Sequence, residues 1–495
     1  METYRNDFGI TSLSLQVGEN DTERRLVWFQ VNTRKGPRVR YAKASDYDRD
    51  GGFTEENSTV IEAKTEIPCV NGDKYLSCKV RLKNLELGEE YIYNVGDENE
   101  YDLDVYRFTM TKDPKKKCRF GIISDVHFNV YQRKENDVYY HLKFVNFSEC
   151  LRHIREYGEE LPAFVMSIGD NASVYHMGVE RFAHPENKTL EGVAMYSEKE
   201  HEEFFSIPFM KMTPFASVLG NHDALGYSEP TPYACVTKFH YDMPNDDGKT
   251  GHFADNSHGD FYFTCGHALI IGLNSIVHTP ANYCGSAEDH RAFILKAIDA
   301  HPEAKWRIIF NHVPAYSYVG GADYNASGNE TETYKMRKIF AEMLKDIHID
   351  VIFTGHVHAF SRSYNILDGE VVDADKIVST RDENGNLVAY AKDTRGTLHY
   401  NAPAPANYSS FHSIAFIAKN CNDFYANYGI AQCTYKKCQN DGIEAVNYYK
   451  GFIYTQPMFT HVDMEETDTT YKMTIKCVGA NDDVAHDTYT VEKSK

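Results

Sequence analysis

Five short stretches of the sequence bring carboxylate, amide and imidazole side chains close together. They are Asp125-Val126-His127, Gly169-Asp170, Gly220-Asn221-His222-Asp223, His312-Val313-Pro314 and Gly355-His356-Val357-His358. Residues two apart in an extended chain project to one side, so Asp125 and His127 can address a common centre. Mixed oxygen and imidazole donors without thiolate suit cations such as Fe, Mn and Zn, and disfavour copper(I) and iron–sulfur clusters. Asp125, Asp170, Asn221, His127, His312, His356 and His358, with His222 beside them, form a set that suits two ions. The glycines before Asp170, Asn221 and His356 permit the close turns such a centre needs. Read singly, Asp170 is an ordinary turn residue and His312 an ordinary packed histidine. The reading rests on all five stretches, in order and at the ends of apolar runs.

Those runs are Arg119 to Ser124, Ala163 to Ile168, Phe215 to Leu219, Ala268 to Leu273, Trp306 to Phe310 and Val351 to Phe353. Between them lie helical periods, as in Phe147, Leu151, Ile154 and in Met336, Ile339, Phe340, Met343, Leu344, Ile347. Alternating strands and helices predict an α/β unit with sheets covered by helices. In such sheets ligands sit outside the carboxyl ends of the strands, so the five stretches should converge on one rim.

The first part of the chain has a different pattern. From about Ser12 to Thr111 short alternating runs predict an all-β sandwich: Leu13 to Val17, Leu26 to Val31, Val39 to Ala42, Tyr75 to Leu82, Glu90 to Val95 and Val105 to Met110. Tyr91, at a strand start after a turn, reads as a tyrosine corner. Asp113-Pro114-Lys115 breaks the pattern and reads as a linker, dividing the chain into domains at 1–113 and 114–495. Strand-like pieces return at Thr397 to Tyr400, Tyr471 to Val478 and Thr488 to Glu492. An aromatic-rich stretch without a period, Tyr408 to Phe459, reads as an insertion at about 402–458.

A net charge of -20 argues against a nucleic-acid backbone as partner, because counterion release needs clustered Lys and Arg. Bound cations would reverse the local field, so an anionic substrate is not excluded. The eleven cysteines lack CxxC spacing; reduced, buried thiols are expected, with Cys69–Cys78 and Cys421 with Cys433 or Cys438 as pairings if the protein is exported. No apolar run is long enough to span a bilayer, and Met1 to Arg5 lacks a signal peptide's apolar core, so the chain as it stands reads as soluble and cytoplasmic, or extracytoplasmic if a leader has been removed. His240, His252, His258 and His267 read as scattered surface histidines.

The five stretches resemble the signature of the calcineurin-like metallophosphoesterases, D-x-H, G-D, G-N-H-[DE], H and G-H-x-H. His312-Val313-Pro314-Ala315-Tyr316-Ser317 and Gly355 to Ser363 narrow the resemblance to the purple acid phosphatases, as does a β-sandwich before the catalytic domain. Further similarities are Gly259-Asp260-Phe261-Tyr262-Phe263, Leu273-Asn274-Ser275 and Asp487-Thr488-Tyr489-Thr490-Val491. The resemblance implies a four-layer αββα sandwich preceded by an immunoglobulin- or fibronectin-III-like domain. It implies that Asp125, His127, Asp170 and His358 hold a first metal, and that Asp170 bridges to a second held by Asn221, His312 and His356. His222 would contact the phosphoryl oxygens, and Asp223 would orient its imidazole or raise its pKa. Read from their place after His312 alone, Tyr316, Tyr318 and Tyr324 either line a substrate pocket or pack as ordinary aromatic residues. Two positions depart from the purple enzymes. Ser173 replaces the tyrosine that colours the ferric ion, and Gly320-Gly321 replaces a histidine pair.

The function so implied is hydrolysis of small-molecule phosphate esters by a hydroxide held between two metal ions, as an acid phosphatase-like phosphomonoesterase. A phosphodiesterase or nucleotide hydrolase could use the same centre. A binding protein with a relict site is the reading from a different class, and the intact donor types stand against it.

Overall fold

The computed structural model describes residues 5–68, 74–128, 137–172, 190–224, 236–252, 257–274, 285–317, 328, 330–358, 360–384, 386–405 and 457–495. The expectations that fall on Ser173, Tyr318, Gly320, Gly321, Tyr324, Cys69, Cys421, Cys433, Cys438 and most of the 402–458 insertion lie outside them.

Two sheets face each other in the second part of the chain. In the first, the parallel strands Lys117–Ile123, Phe164–Ser167 and Phe215–Ser217 are flanked on one side by the C-terminal strands Met458–Glu466, Thr470–Gly479 and Ala485–Ser494. In the second, Ala268–Leu273, Trp306–Asn311, Val351–Thr354 and Thr397–Asn401 run parallel, with antiparallel strands at both edges. Alternation sets the layers. Phe120, Phe164 and Phe310 fill the space between the sheets, the Phe120 ring 4.7 Å from Phe164 and 6.2 Å from Phe310. Gly121, on the opposite face, lies against Ile154 of the helix Asp137–Glu156, where a Cβ would come within 2.4 Å of that side chain. Helices Ala287–Ala300 and Glu332–Met343 cover the outer face of the second sheet through Phe293, Ile294, Met336 and Phe340. The order helix, sheet, sheet, helix is the four-layer αββα sandwich.

The N-terminal unit is the expected all-β sandwich. Strands Ile10–Val17, Arg24–Val31, Tyr75–Leu82 and Lys64–Glu66 face a four-stranded sheet of Thr59–Glu62, Arg38–Lys43, Glu90–Gly96 and Tyr106–Thr109 across a core that includes Trp28, Tyr93 and Phe108. The Glu86 amide donates to the Tyr91 hydroxyl at 2.9 Å, a tyrosine corner that closes the turn. Sequence periodicity misses the short helix Ala44–Asp50 and the exposed strand Thr59–Glu62.

The units on either side of Asp113 to Lys115 also meet through a shared sheet. Ile10–Val17 pairs in parallel with Phe215–Ser217 at Gln16 and Phe215, so one sheet of twelve strands among the described residues runs through both units. Buried polar contacts reinforce the junction: Gln16 Nε2 donates to His240 O at 2.7 Å, Ser77 Oγ to Phe239 O at 2.7 Å and the Tyr93 hydroxyl to Lys211 O at 2.7 Å. His240 and His258, expected on the surface, are buried at this seam, because their rings pack on Phe29, Phe205 and Tyr241. His252 and His267 are part-buried and paired with Asp246 and Glu466.

Among the described cysteines, one pair departs from the expected buried thiols. A disulfide joins Cys118 to Cys265 across the facing sheets, while Cys78, Cys150 and Cys477 are buried free thiols. No helix among the described residues is long and apolar enough to cross a membrane.

Two of the outlying sequence similarities meet in a buried ion pair. Arg362 Nε and Nη2 donate to Asp487 Oδ2 and Oδ1 at 2.9 and 3.2 Å, with side-chain exposures of 0% and 2%, tying the strand Ser361–Leu367 to Ala485–Ser494 of the facing sheet. Removing one partner leaves a buried charge uncompensated, so Asp487→Ala should destabilise the protein by about 3–5 kcal/mol. Urea denaturation followed by tryptophan fluorescence measures this, and a loss below about 1 kcal/mol would mean that water reaches Arg362.

Candidate metal centre

All five stretches lie at the carboxyl ends of parallel strands. Asp125 and His127 follow Lys117–Ile123, Asp170 follows Phe164–Ser167, and Asn221, His222 and Asp223 follow Phe215–Ser217. From the second sheet, His312 follows Trp306–Asn311 and His356 and His358 follow Val351–Thr354. The rim where the two sheets meet therefore gathers residues up to 233 positions apart, from Asp125 to His358.

Bringing them together requires unusual backbone. Asp125, His127, Asp170, His356 and His358 have φ of 56°, 51°, 55°, 66° and 55°, in the left-handed region, and no other described histidine does. Such residues cost on the order of 1–3 kcal/mol each and persist only where surrounding contacts over-determine them. Those contacts are present. Asp125 N–H donates to Gly169 O at 3.1 Å and His127 N–H to Asp170 O at 2.8 Å. His356 N–H donates to Asp125 Oδ2 at 2.9 Å, and Gly355 N–H to His312 O at 2.9 Å. Glycine is required at position 220, where a Cβ would meet Asp170 Oδ1 at 2.0 Å, and at 355, where it would meet Ser124 Oγ at 1.9 Å.

The donors form two groups that share Asp170. On one side His127 Nε2 lies 3.0 Å from His358 Nε2 and 3.6 Å from Asp170 Oδ2, and His358 Nε2 lies 3.2 Å from Asp125 Oδ1. On the other, Asn221 Oδ1 lies 2.9 Å from His312 Nε2 and 3.0 Å from His356 Nδ1, and His312 Nε2 lies 3.2 Å from Asp170 Oδ2. Compact donor triplets are Asp125–His127–His358, Asp170–His312–His356 and His127–Asp170–His222. The third shows that His222 also comes near, its Nε2 at 3.9 Å from Asp170 Oδ2 and its ring edge-on to His127 at 4.4 Å.

Whether these residues fit cations can be judged from Asp170 itself. Its Oδ2 is buried and accepts no aligned hydrogen bond, although three imidazole nitrogens approach within 3.9 Å. A buried carboxylate oxygen ringed by ring nitrogens that do not bond it properly suits coordination better than hydrogen bonding. The donor set, oxygen and imidazole without thiolate, fits Fe, Mn or Zn.

Electrostatics agree. Burial alone would raise the Asp125 carboxyl, but His358, His127 and His312 hold it well below the carboxylate range, and His312 and His222 do the same for Asp170. Burial lowers His127 to about 4, leaving it neutral. His312 goes the other way: burial opposes its charge, yet Asp170 raises it to about 9.

One sequence expectation changes. Asp223 does not orient His222 in this geometry. Its Oδ2 accepts from the backbone N–H of Asp170 at 2.7 Å and Gly220 at 2.9 Å, and its Oδ1 from Ala172 at 2.9 Å. Both oxygens are committed to backbone, so the carboxylate staples two donor loops together, while the His222 N–H reaches Asp170 Oδ1 at 2.7 Å. Burial and the nearby Asp170 push the Asp223 carboxyl up to about 7, against those amides. Tyr316 is 6% exposed and packs in the core under the second sheet, its ring 4.5 Å from His399 and capped by Arg337 at 4.8 Å.

Sequence reasoning also missed three supports. His312 Nδ1 donates to Ile168 O at 2.6 Å, His356 Nε2 lies 2.9 Å from Glu332 Oε2, and Asn274 Oδ1 accepts from Leu219 N–H at 2.8 Å while its Nδ2 donates to His258 O and Gly259 O. Asn274 stands in one of the similarity segments, so its motif was the signal; Glu332 and Ile168 carry none.

A family model for the calcineurin-like phosphoesterases matches residues 118–360, and one for the N-terminal domain of purple acid phosphatases matches residues 10–110. Among solved structures, a purple acid phosphatase isolated from yellow lupin (Lupinus luteus) seeds is similar with a TM-score of 0.63 at 14% identity, over 99% of this chain and 75% of that one. PhoD is similar with a TM-score of 0.56 at 11% identity, over 98% of this chain and 89% of that one. At these identities the structural likeness speaks for the fold, and the family models speak for the chemistry. A calcineurin-like phosphoesterase domain at residues 118–360, preceded by a purple acid phosphatase N-terminal domain at residues 10–110, makes this chain a purple acid phosphatase-like metallophosphoesterase.

Proposed function

We propose that the protein hydrolyses small phosphate monoesters at a two-ion centre bridged by Asp170. The observation that carries this reading is the doubled donor set: Asp125, His127 and His358 on one side of Asp170, and Asn221, His312 and His356 on the other. When bound, the two cations supply Lewis acidity, making water nucleophilic near neutral pH and polarising the phosphoryl oxygen.

The chain's own residues do the rest. Asp170 offers one oxygen to both donor groups while its other oxygen accepts from the His222 N–H, which fixes its orientation. Asp223 holds the spacing of the two loops that carry Asp170 and Asn221. His222, 11% exposed and beside both Asp170 and His127, is the imidazole that would donate to the non-bridging phosphoryl oxygens as charge spreads over them.

Purified protein supplied with Mn, Fe or Zn should turn over a chromogenic phosphomonoester faster than the matching diester, and a chelator should abolish both until metal is restored. A faster diester would make the protein a phosphodiesterase, and silence with every metal would leave the relict-site reading standing. His222→Ala should lower kcat by about 10²–10³-fold with metal content unchanged. Undiminished kcat in that variant would remove His222 from the mechanism.

A further inference from the structure

We infer that Glu332 is a positioning residue that sets the affinity of the second ion through His356. The inference rests on the two-ion reading above and extends it to a residue outside every motif. Glu332 Oε2 lies 2.9 Å from His356 Nε2, while Nδ1 of the same ring lies 3.0 Å from Asn221 Oδ1. That assigns the two nitrogens: Nε2–H donates outward to the carboxylate, and the Nδ1 lone pair faces the centre.

His312 is arranged the opposite way round. Its Nδ1 donates to Ile168 O at 2.6 Å and its Nε2 faces inward, 2.9 Å from Asn221 Oδ1 and 3.2 Å from Asp170 Oδ2. Both imidazoles on this side are thus held from behind by an oxygen, but only in His356 is that oxygen a carboxylate. A carboxylate behind a ligating imidazole fixes its tautomer, orients the ring and increases the electron density offered to the cation.

The carboxylate is held by secondary structure. Glu332 is the first residue of the helix Glu332–Met343, whose N-cap Thr331 accepts from Tyr334 N–H at 3.3 Å. Met336, Phe340 and Met343 anchor that helix in the core under the second sheet. The outer helix layer therefore reaches the centre through the hydrogen bond from His356 to Glu332. His356 belongs to the Asp170–His312–His356 group, so the effect falls on the second ion and spares the group of Asp125, His127 and His358.

The test is a calorimetric titration of chelator-stripped full-length protein with Zn(II), alongside thermal melting of the stripped protein. Wild type should bind two equivalents. Glu332→Ala should keep the first equivalent unchanged and weaken the second by about 10–100-fold, and Glu332→Gln, which keeps an acceptor without the charge, should fall between. The melting temperature of the stripped variants should match wild type. Two equivalents of wild-type affinity in Glu332→Ala would overturn the inference, as would equal weakening of both equivalents with a lowered melting temperature. Fewer than two equivalents in wild type would instead overturn the two-ion reading itself.

Discussion

The structure depends on holding two buried carboxylates and four imidazoles in one small volume. Asp125 and Asp170 are 0% and 1% exposed, and charges so placed are tolerated only where opposite charge surrounds them. Here imidazole nitrogens approach from both sheets, and the left-handed backbone of Asp125, His127, Asp170, His356 and His358 is what aims the donors inward. That backbone persists because main-chain amides cross-link the loops, and because Asp223 gathers three of those amides on one carboxylate. The centre is an electrostatic arrangement that, on the proposed reading, two cations would complete.

Everything outside the rim serves that arrangement at a distance. The facing sheets fix where strands end, the Arg362–Asp487 pair locks one sheet to the other, and Asn274 steadies the loop that begins at Leu219. The N-terminal sandwich takes part as well. By pairing Ile10–Val17 with Phe215–Ser217 it braces the strand that leads to Asn221 and His222. A domain joined only by a flexible segment could not do so.

Much of this was legible in the sequence because the relevant signals are local. Each donor stretch is a few residues long and follows a short apolar run, and alternation marks six of the N-terminal strands within a residue or a few. What escaped depends on partners distant in sequence. Nothing near Glu332 marks it as the neighbour of His356, and nothing near Cys118 points to Cys265. Asp223 was read through the residue beside it, whereas its contacts are with Asp170 and Ala172, about fifty positions earlier. Tyr316 could be read as substrate lining or as ordinary packing, and its contacts with His399 and Arg337 are of the second kind. Adjacency in sequence predicts which residues share a loop, and the fold decides which way each side chain turns.

The central claim is that the five stretches form one centre with two ions sharing Asp170. Anomalous difference density from crystals grown with Mn(II) or Zn(II), recorded at the metal edge, tests it most directly. The account predicts two peaks flanking Asp170, one among Asp125, His127 and His358 and the other among Asn221, His312 and His356. A single peak, or a pair in which Asp170 touches only one ion, would contradict it.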